Sequence, residues 1–512
     1  MTLDDANLSL LYCHFVTICC KMCLTVRSHR GSIAGLKSIM KKLLTVVLFA
    51  VIAITQSAWS QISGNPIAFV HVAVVDVRSG EIKADMTVLL SKNRISQIGL
   101  GKTVHVPKNA RSIDARGKYL IPGLWDMHVH SLWDASRPPV FFPLFLANGV
   151  TGLREMGGPM LAADQVRWRN EVESGGVLGP RLAVSGPFVD GPHPVWPGSI
   201  KVSTEEDGKQ AVDSLKAAGV DFVKVYTGVP RAAYFGISKE AQKDGIPFVG
   251  HVPLEIGVDE ASNAGQRSIE HLMGILLYTS SRSDELKADL MKGVNINQIN
   301  NQLIDTYDPS RAAVLCGLFI KNNTWQTPTL TIRHARPYLQ ELQASNDPRL
   351  RYMPKSIVDS WGPRVDQRQP TNPEVVASRK RLFHKELEVV GLMNRAGVKL
   401  LAGTDAPNPY CFPGFGLHDE LGFMVQAGLT PLEALQTATI NPAEFLGLSK
   451  ILGTVEKGRI ADLVLLDANP LENIANTKRI AAVVSSGRLL DRKALDGLLN
   501  GVADRVAHSS AH

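Results

Sequence analysis

The sequence predicts an α/β fold: a (β/α)₈ TIM-type barrel with a small β-sandwich subdomain formed from both chain ends. Three observations predict it. Eight strand-like runs alternate with amphipathic helical stretches through the middle of the chain. The segments on either side are rich in β-branched residues and turn signals. Histidine, lysine and aspartate recur at the C-terminal ends of the strand-like runs, the face on which such a barrel carries its reactive groups.

The bulk numbers suit a large buried core. Of 512 residues, 45% are hydrophobic and 20% charged, which excludes wholesale disorder. The formal net charge is +7. No basic run with interleaved aromatics accompanies it, so the excess reads as surface charge and no nucleic-acid partner is expected. Cys13, Cys19, Cys20 and Cys23 crowd the start of the chain, and only Cys316 and Cys411 lie in the body. There is no CxxC…CxxC pattern, so a zinc–thiolate site is not expected. Whether Cys316 and Cys411 pair is left open.

Met40-Lys41-Lys42 is a short basic region, residues 43–54 are an apolar run, and Ala58-Trp59-Ser60 offers small residues where a signal peptidase reads. Residues 40–60 therefore read as a secretory signal peptide, with a chain exported to the periplasm or secreted. The run is too short to span a bilayer comfortably, so no stable membrane insertion is expected after cleavage. A membrane anchor or a buried helix is the plainer alternative. Residues 1–39 read as a non-native extension ahead of a start at Met40; their own apolar run at 8–26 keeps an anchored N-terminus open.

Residues 66–121 read as short strands with turns, as in "AFVHVAVVDVRSGEI" and "MTVLLSKNRISQIG". Residues 445–490 read the same way, so one small β subdomain is expected from both ends. The barrel is expected over 122–444. Its strand-like runs are "LIPGLWDMHVH", "VTGLREMG", "PRLAVSG", "VDFVKVY", "IPFVGHV", "RSIEHL", "TWQTPTL" and "VKLLAGTD". Before the fourth, Thr204 followed by two glutamates and a periodic apolar face marks a helix start. The stretch 280–370 is long, polar and partly helical, contains the seventh run, and is expected to cap the rim.

Chemistry gathers at the strand ends. His128 and His130 are two residues apart, so both imidazoles point to one side of the first strand. Alone, such a pair is more often two ordinary polar residues. Lys224 ends the fourth run, His251 the fifth, His271 the sixth and Asp405 the eighth. Each has a bland reading: a satisfied core histidine, a helix-capping aspartate, a lysine opposing a buried carboxylate. Six such groups on five strand ends are harder to dismiss. A lysine ammonium has no lone pair to give a cation. Burial in an apolar strand lowers its pKa, and a neutral amine adds carbon dioxide to become an anionic carbamate.

On these stretches, with "LHDELGFMVQAGLTPLEALQTATINPAEFLG" and "LGTVEKGRIADLVLLDANPL", the sequence resembles the amidohydrolase superfamily, in its imidazolonepropionase-like and prolidase-like branch. The resemblance runs from about residue 66 to 490. It implies two divalent metal ions, taken as zinc. His128 and His130 would hold one, His251 and His271 the other, and carboxylated Lys224 would bridge them. Asp405 would touch the first metal and act as the catalytic acid/base for a metal-bridging hydroxide that attacks an amide. Arg154-Glu155 departs from the Arg-Asp this branch often has, which puts the local hydrogen bonding in question. Tyr226 is a candidate substrate-side donor, and His418 either a substrate-side group or a support behind the ligands.

The function implied is hydrolysis of an amide C–N bond in a small molecule, a dipeptide or N-acyl amino acid. An imidazolonepropionase-like cyclic amide hydrolase or deaminase is the alternative enzyme; such sites use one metal and lack the lysine. A metal-free binding or scaffold barrel is the non-enzymatic alternative, opposed by the presence of all six ligands. A homo-oligomer is compatible with all three.

Overall fold

A computed structural model describes residues 65–101, 103–368 and 372–509. The expected signal at 40–60, the extension before it and the four N-terminal cysteines lie outside the described residues. The N-terminal part supplies β1 (Ile67–Val75), β2 (Ile82–Ser91), β3 (Arg94–Leu100), β4 (Arg111–Asp114) and β5 (Tyr119–Pro122). The middle supplies β6 (Leu124–Val129), β7 (Val150–Glu155), β8 (Arg181–Val184), β9 (Val189–Asp190), β10 (Ile200–Lys201), β11 (Val223–Val225), β12 (Phe248–Gly250), β13 (Ser268–Glu270) and β14 (Trp325–Thr327). The C-terminal part supplies β15 (Leu463–Leu466), β16 (Ile480–Ser485) and β17 (Arg488–Asp491).

The two ends join in one sheet of order β17-β16-β15-β5-β1-β2-β3, with β4 paired to β1. Strand β15 runs antiparallel to β5, with Leu465 opposite Leu120. The sheet has its own core, including Phe69, Val72, Val88, Ile95, Leu463 and Val484. Its hydrogen bonding unites these strands in a single eight-stranded sheet. Register breaks between Phe69 and Val72 and between Val72 and Val74 interrupt the ladder of β1, and such bulges bend a strand and sharpen its twist.

The middle strands are parallel, in the orders β6-β7-β8 and β10-β9-β11-β12-β13-β14. Seven of the eight expected runs contain a strand. Both faces of these strands are buried. On one side Leu124, Val129, Val150 and Leu153 pack with helical residues such as Phe141 and Leu144. On the other, Trp125, Met127, Phe222, Val249, Trp325 and Leu401 form a separate cluster. The helix Glu205–Ala217 begins where its sequence signals. The Thr204 hydroxyl accepts from the Asp207 N–H (3.1 Å), and the Asp207 carboxylate accepts from the Thr204 N–H (2.9 Å). Three acidic residues in its first turn favour the positive end of the helix dipole.

The eighth run makes isolated parallel bridges in place of a ladder: Leu400 with Gln326, and Ala406 with Val129. Leu401 N–H donates to Gln326 O (2.9 Å) and Met127 N–H to Ala402 O (2.8 Å), so the segment joins β14 on one side and β6 on the other. Two local features break its regularity. A Cβ at Gly403 would fall 2.8 Å from the His128 Cβ, and Asp405 takes a left-handed φ of +65°.

The stretch 280–368 is mostly helical around β14. The Trp361 indole donates to Pro407 O (3.1 Å), which brings the helix Lys355–Arg368 against the loop following Asp405. Cys316 and Cys411 are buried free thiols. No described helix is long and apolar enough to cross a membrane.

Candidate metal centre

His128 and His130 stand at the end of β6, with His271 just past β13. The ring centroids of His128 lie 5.4 Å from His130 and 4.6 Å from His271. His251, just past β12, lies 5.1 Å from His271. Backbone bonds at the strand ends hold this set in place: Asp405 N–H donates to His128 O (2.7 Å) and His271 N–H to Thr327 O (3.0 Å). One nitrogen or oxygen each of His128, His271 and Asp405 lie within 4.8 Å of one another. Lys224, on β11, is 1% exposed.

Every imidazole is tethered through Nδ1. His128 Nδ1 contacts Glu270 Oε2 at 2.8 Å and His130 Nδ1 contacts Gly157 O at 2.7 Å. Both partners only accept, so each Nδ1 carries the proton. His271 Nδ1 meets Thr329 Oγ1 at 2.6 Å, and that hydroxyl spends its hydrogen on Pro328 O, so His271 donates as well. His251 Nδ1 is bonded to Thr227 Oγ1 (2.7 Å). For His128, His130 and His271, donation through Nδ1 leaves Nε2 as a lone pair.

These lone pairs face an anion. His130 Nε2 lies 3.1 Å and His128 Nε2 3.5 Å from Asp405 Oδ1. Burial, reinforced by the positive Lys224, holds the His128 pKa well below the imidazole range, so this ring is neutral. Burial likewise holds His251 and His271 neutral. A lone pair aimed at a carboxylate oxygen is repulsive unless a cation stands between them. Two buried polar atoms at the site have no hydrogen-bond partner, His128 Nε2 and Lys224 Nζ. Burial pushes the Lys224 amine down to about 8, and its lack of a partner opposes the plain reading of a lysine paired with a carboxylate. The residues fit a divalent cation.

Of the supporting residues, the sequence singled out Arg154 and Glu155 but gave no such role to Glu270, Asp126 or Thr404. Arg154 is fully buried on β7. Its Nη2 donates to both Glu270 oxygens (2.9 Å each) and to Thr327 Oγ1 (3.1 Å). Glu270 thus balances Arg154 with one charge and orients His128 through the same carboxylate. The signal available was charge inside two otherwise apolar strands, Arg154 and Glu155 in "VTGLRE" and Glu270 in "SIE". Asp126 accepts from Thr404 N–H (3.0 Å) and Oγ1 (2.7 Å), tying β6 to the turn before Asp405. Glu155 accepts from Ser131 N–H and Oγ at 2.8 Å each, and burial pushes its carboxyl up to about 7. The Arg154-Glu155 pair therefore braces the site from behind.

Tyr226 packs at a tilt against His251 with ring centroids 4.3 Å apart and accepts at its hydroxyl from Trp196 Nε1 (2.9 Å). His418 makes its contacts elsewhere. Its Nδ1 is bonded to Thr477 Oγ1 and its Nε2 to Asn148 O, both at 3.0 Å. Both nitrogens are satisfied, and the ring ties the helix Phe415–Gln426 to its neighbours.

The sequence profile of the amidohydrolase family matches residues 119–490. The chain belongs to the amidohydrolase family. Its histidine–aspartate cluster is the candidate metal site of a chain of that family. N-acetylglucosamine-6-phosphate deacetylase of Rattus norvegicus is 34% identical over 113 residues, 22% of this chain and 24% of the deacetylase. The chain thus matches only about a quarter of that relative's length. Ochratoxinase of Aspergillus niger is 23% identical over 489 residues, covering 83% of this chain and 86% of the ochratoxinase. Among solved structures, a putative prolidase from Bifidobacterium longum superimposes with a TM-score of 0.62 at 23% identity, covering 86% of this chain and 99% of the prolidase. At that identity the likeness concerns the amidohydrolase fold.

Proposed function

We propose that this protein is an exported, two-metal amidohydrolase that cleaves the amide bond of a dipeptide or N-acyl amino acid. The observation that carries the reading is the neutral His128, whose Nε2 lone pair faces the Asp405 carboxylate at 3.5 Å beside the unpartnered amine of Lys224. The parallel strands of 122–444 close into a (β/α)₈ barrel, a reading supported by the bonds from the eighth run to both β6 and β14. The β-rich ends at 66–121 and 445–490 form its small sandwich-like subdomain.

His128, His130 and Asp405 would hold one ion, and His251 and His271 the second, with imidazole and carboxylate ligands that suit zinc. The Lys224 amine, once neutral, would form an N–C bond to carbon dioxide and release a proton, supplying anionic oxygens as further ligands for the pair. Such ions lower the pKa of water and polarise a carbonyl. Asp405 takes up the proton that the attacking water loses and hands it to the leaving nitrogen. Glu270 keeps His128 in the tautomer that offers Nε2.

Arg336 supports a substrate bearing a carboxylate. It ends the short helix Leu330–Ala335 in helical geometry. Its positive charge acts on His251, His271 and Tyr226, which puts the guanidinium beside the candidate metal site. Export rests on the sequence features of residues 40–60.

The test is elemental analysis of protein purified without chelators, with an amine-release screen over dipeptides, N-acyl amino acids and cyclic amides. About two equivalents of divalent metal and hydrolysis of carboxylate-bearing amides are expected. One equivalent with turnover of cyclic amides alone would turn the reading to the imidazolonepropionase-like alternative.

A further inference from the structure

Beyond the ends of β6, β8 and β11, four aromatic side chains form one continuous run. Trp133 packs on Trp196 with centroids 4.9 Å apart and on Phe188 at 6.2 Å; Phe188 packs on Tyr226 at 4.9 Å. The run meets the metal centre at two places, along its middle and at its Tyr226 end. His130 lies 5.7 Å from Phe188 and 6.1 Å from Trp133, and His251 lies against Tyr226. The Trp196–Tyr226 hydrogen bond ties two of its members together.

Gly157 and Gly158 seat this run. A Cβ at Gly157 would lie 2.8 Å from Phe188 Cδ1, and one at Gly158 would lie 3.1 Å from Trp133 Cε3. The Gly157 carbonyl also holds the His130 Nδ1–H. One backbone turn therefore positions both a candidate metal ligand and the aromatic wall. Phe188 is buried, but Trp133, Trp196 and Tyr226 are half-buried. One approach to Trp133 is taken by Arg137, whose Cζ is 5.2 Å from the ring centroid. Large rings left partly wet beside a reactive centre gain free energy when an apolar group covers them.

We propose that this wall is the subsite for the acyl half of the substrate and selects a flat, aromatic acyl group. The inference rests on the amide-hydrolase reading above. The wall residues follow β6, β8 and β11, whereas Arg336 follows β14, its charge acting on His251, His271 and the Tyr226 end of the wall. A carboxylate drawn to Arg336 belongs to the amine half of the scissile bond, which leaves the acyl half for the wall.

The experiment compares kcat/KM for Phe-Ala and Trp-Ala with Gly-Ala and Ala-Ala, in the protein as purified and in Trp133→Leu, Trp196→Leu and Trp196→Phe, with thermal unfolding checked for each. The aromatic dipeptides are expected to be preferred about 10- to 100-fold. The preference is expected to collapse, chiefly through KM, in both Trp→Leu variants and to persist in Trp196→Phe. Equal or better turnover of Gly-Ala, or an unchanged ratio in both Trp→Leu variants, overturns the proposal. If no amide is hydrolysed, the amide-hydrolase reading fails, and quenching of tryptophan fluorescence by 3-phenylpropanamide against propanamide then decides the wall. Tighter binding of the phenyl amide, lost in Trp196→Leu, supports it, and equal binding overturns it.

Discussion

Replacing Glu270 by glutamine removes one charge on which two functions depend. The carboxylate accepts from His128 Nδ1 at 2.8 Å and from Arg154 Nη2 at 2.9 Å to both oxygens. Arg154 and Glu270 are both 0% exposed, so in Glu270→Gln the guanidinium is left in the interior without its counter-charge. Breaking such a buried pair from one side costs about 3–5 kcal/mol. The same change weakens the acceptor that orients His128, and loss of such a support lowers metal affinity about 10- to 100-fold. Urea unfolding of chelator-treated protein measures the first effect, free of stabilisation by bound metal. Competition with a chromogenic zinc chelator measures the second. Adding Arg154→Met removes the stranded charge, so the double variant should recover stability and show a coupling of about 2 kcal/mol or more. A Glu270→Gln protein within about 1 kcal/mol of wild type, with unchanged metal affinity, would refute both the pairing and the orienting role.

Lys224→Arg should lose the second metal and most activity, because a guanidinium stays protonated and cannot ligate; an active variant with full metal content rules out the bridging role. Acetate or propionate should partly restore Lys224→Ala, read as activity and metal content together. His418, pushed by burial from 6.5 down to about 4, is neutral when folded. It contributes stability above pH 6.5 that is lost as pH falls toward 4, roughly 3 kcal/mol at about 1.4 per unit; urea midpoints from pH 7 to 4 should flatten in His418→Gln, and an unchanged acid slope contradicts the assignment. Gly157→Ala places a Cβ 2.8 Å from Phe188 at a φ of +96°, which should destabilise by about 1–3 kcal/mol and lower Tm; an unaltered Tm would show that the turn relaxes freely.

The sequence by itself determined what is local. Period-two apolarity and glycine punctuation located the strands, and the helix at Thr204 followed from its cap and acidic first turn. The six ligand candidates were legible because each closes a strand-like run, and parallel strands bring such ends to one face. The eighth run was legible as a segment but not in its bridges, since the crowding of Gly403 against His128 depends on β6, far away in the chain. Tertiary structure alone decided the partners. His128 meets Glu270 across 142 residues and Thr404 meets Asp126 across 278. His418, open from sequence to a role at the site, is satisfied by Asn148 across 270 residues. A buried polar atom takes whichever complementary group the fold brings within about 3 Å, and no periodicity in the chain records that proximity.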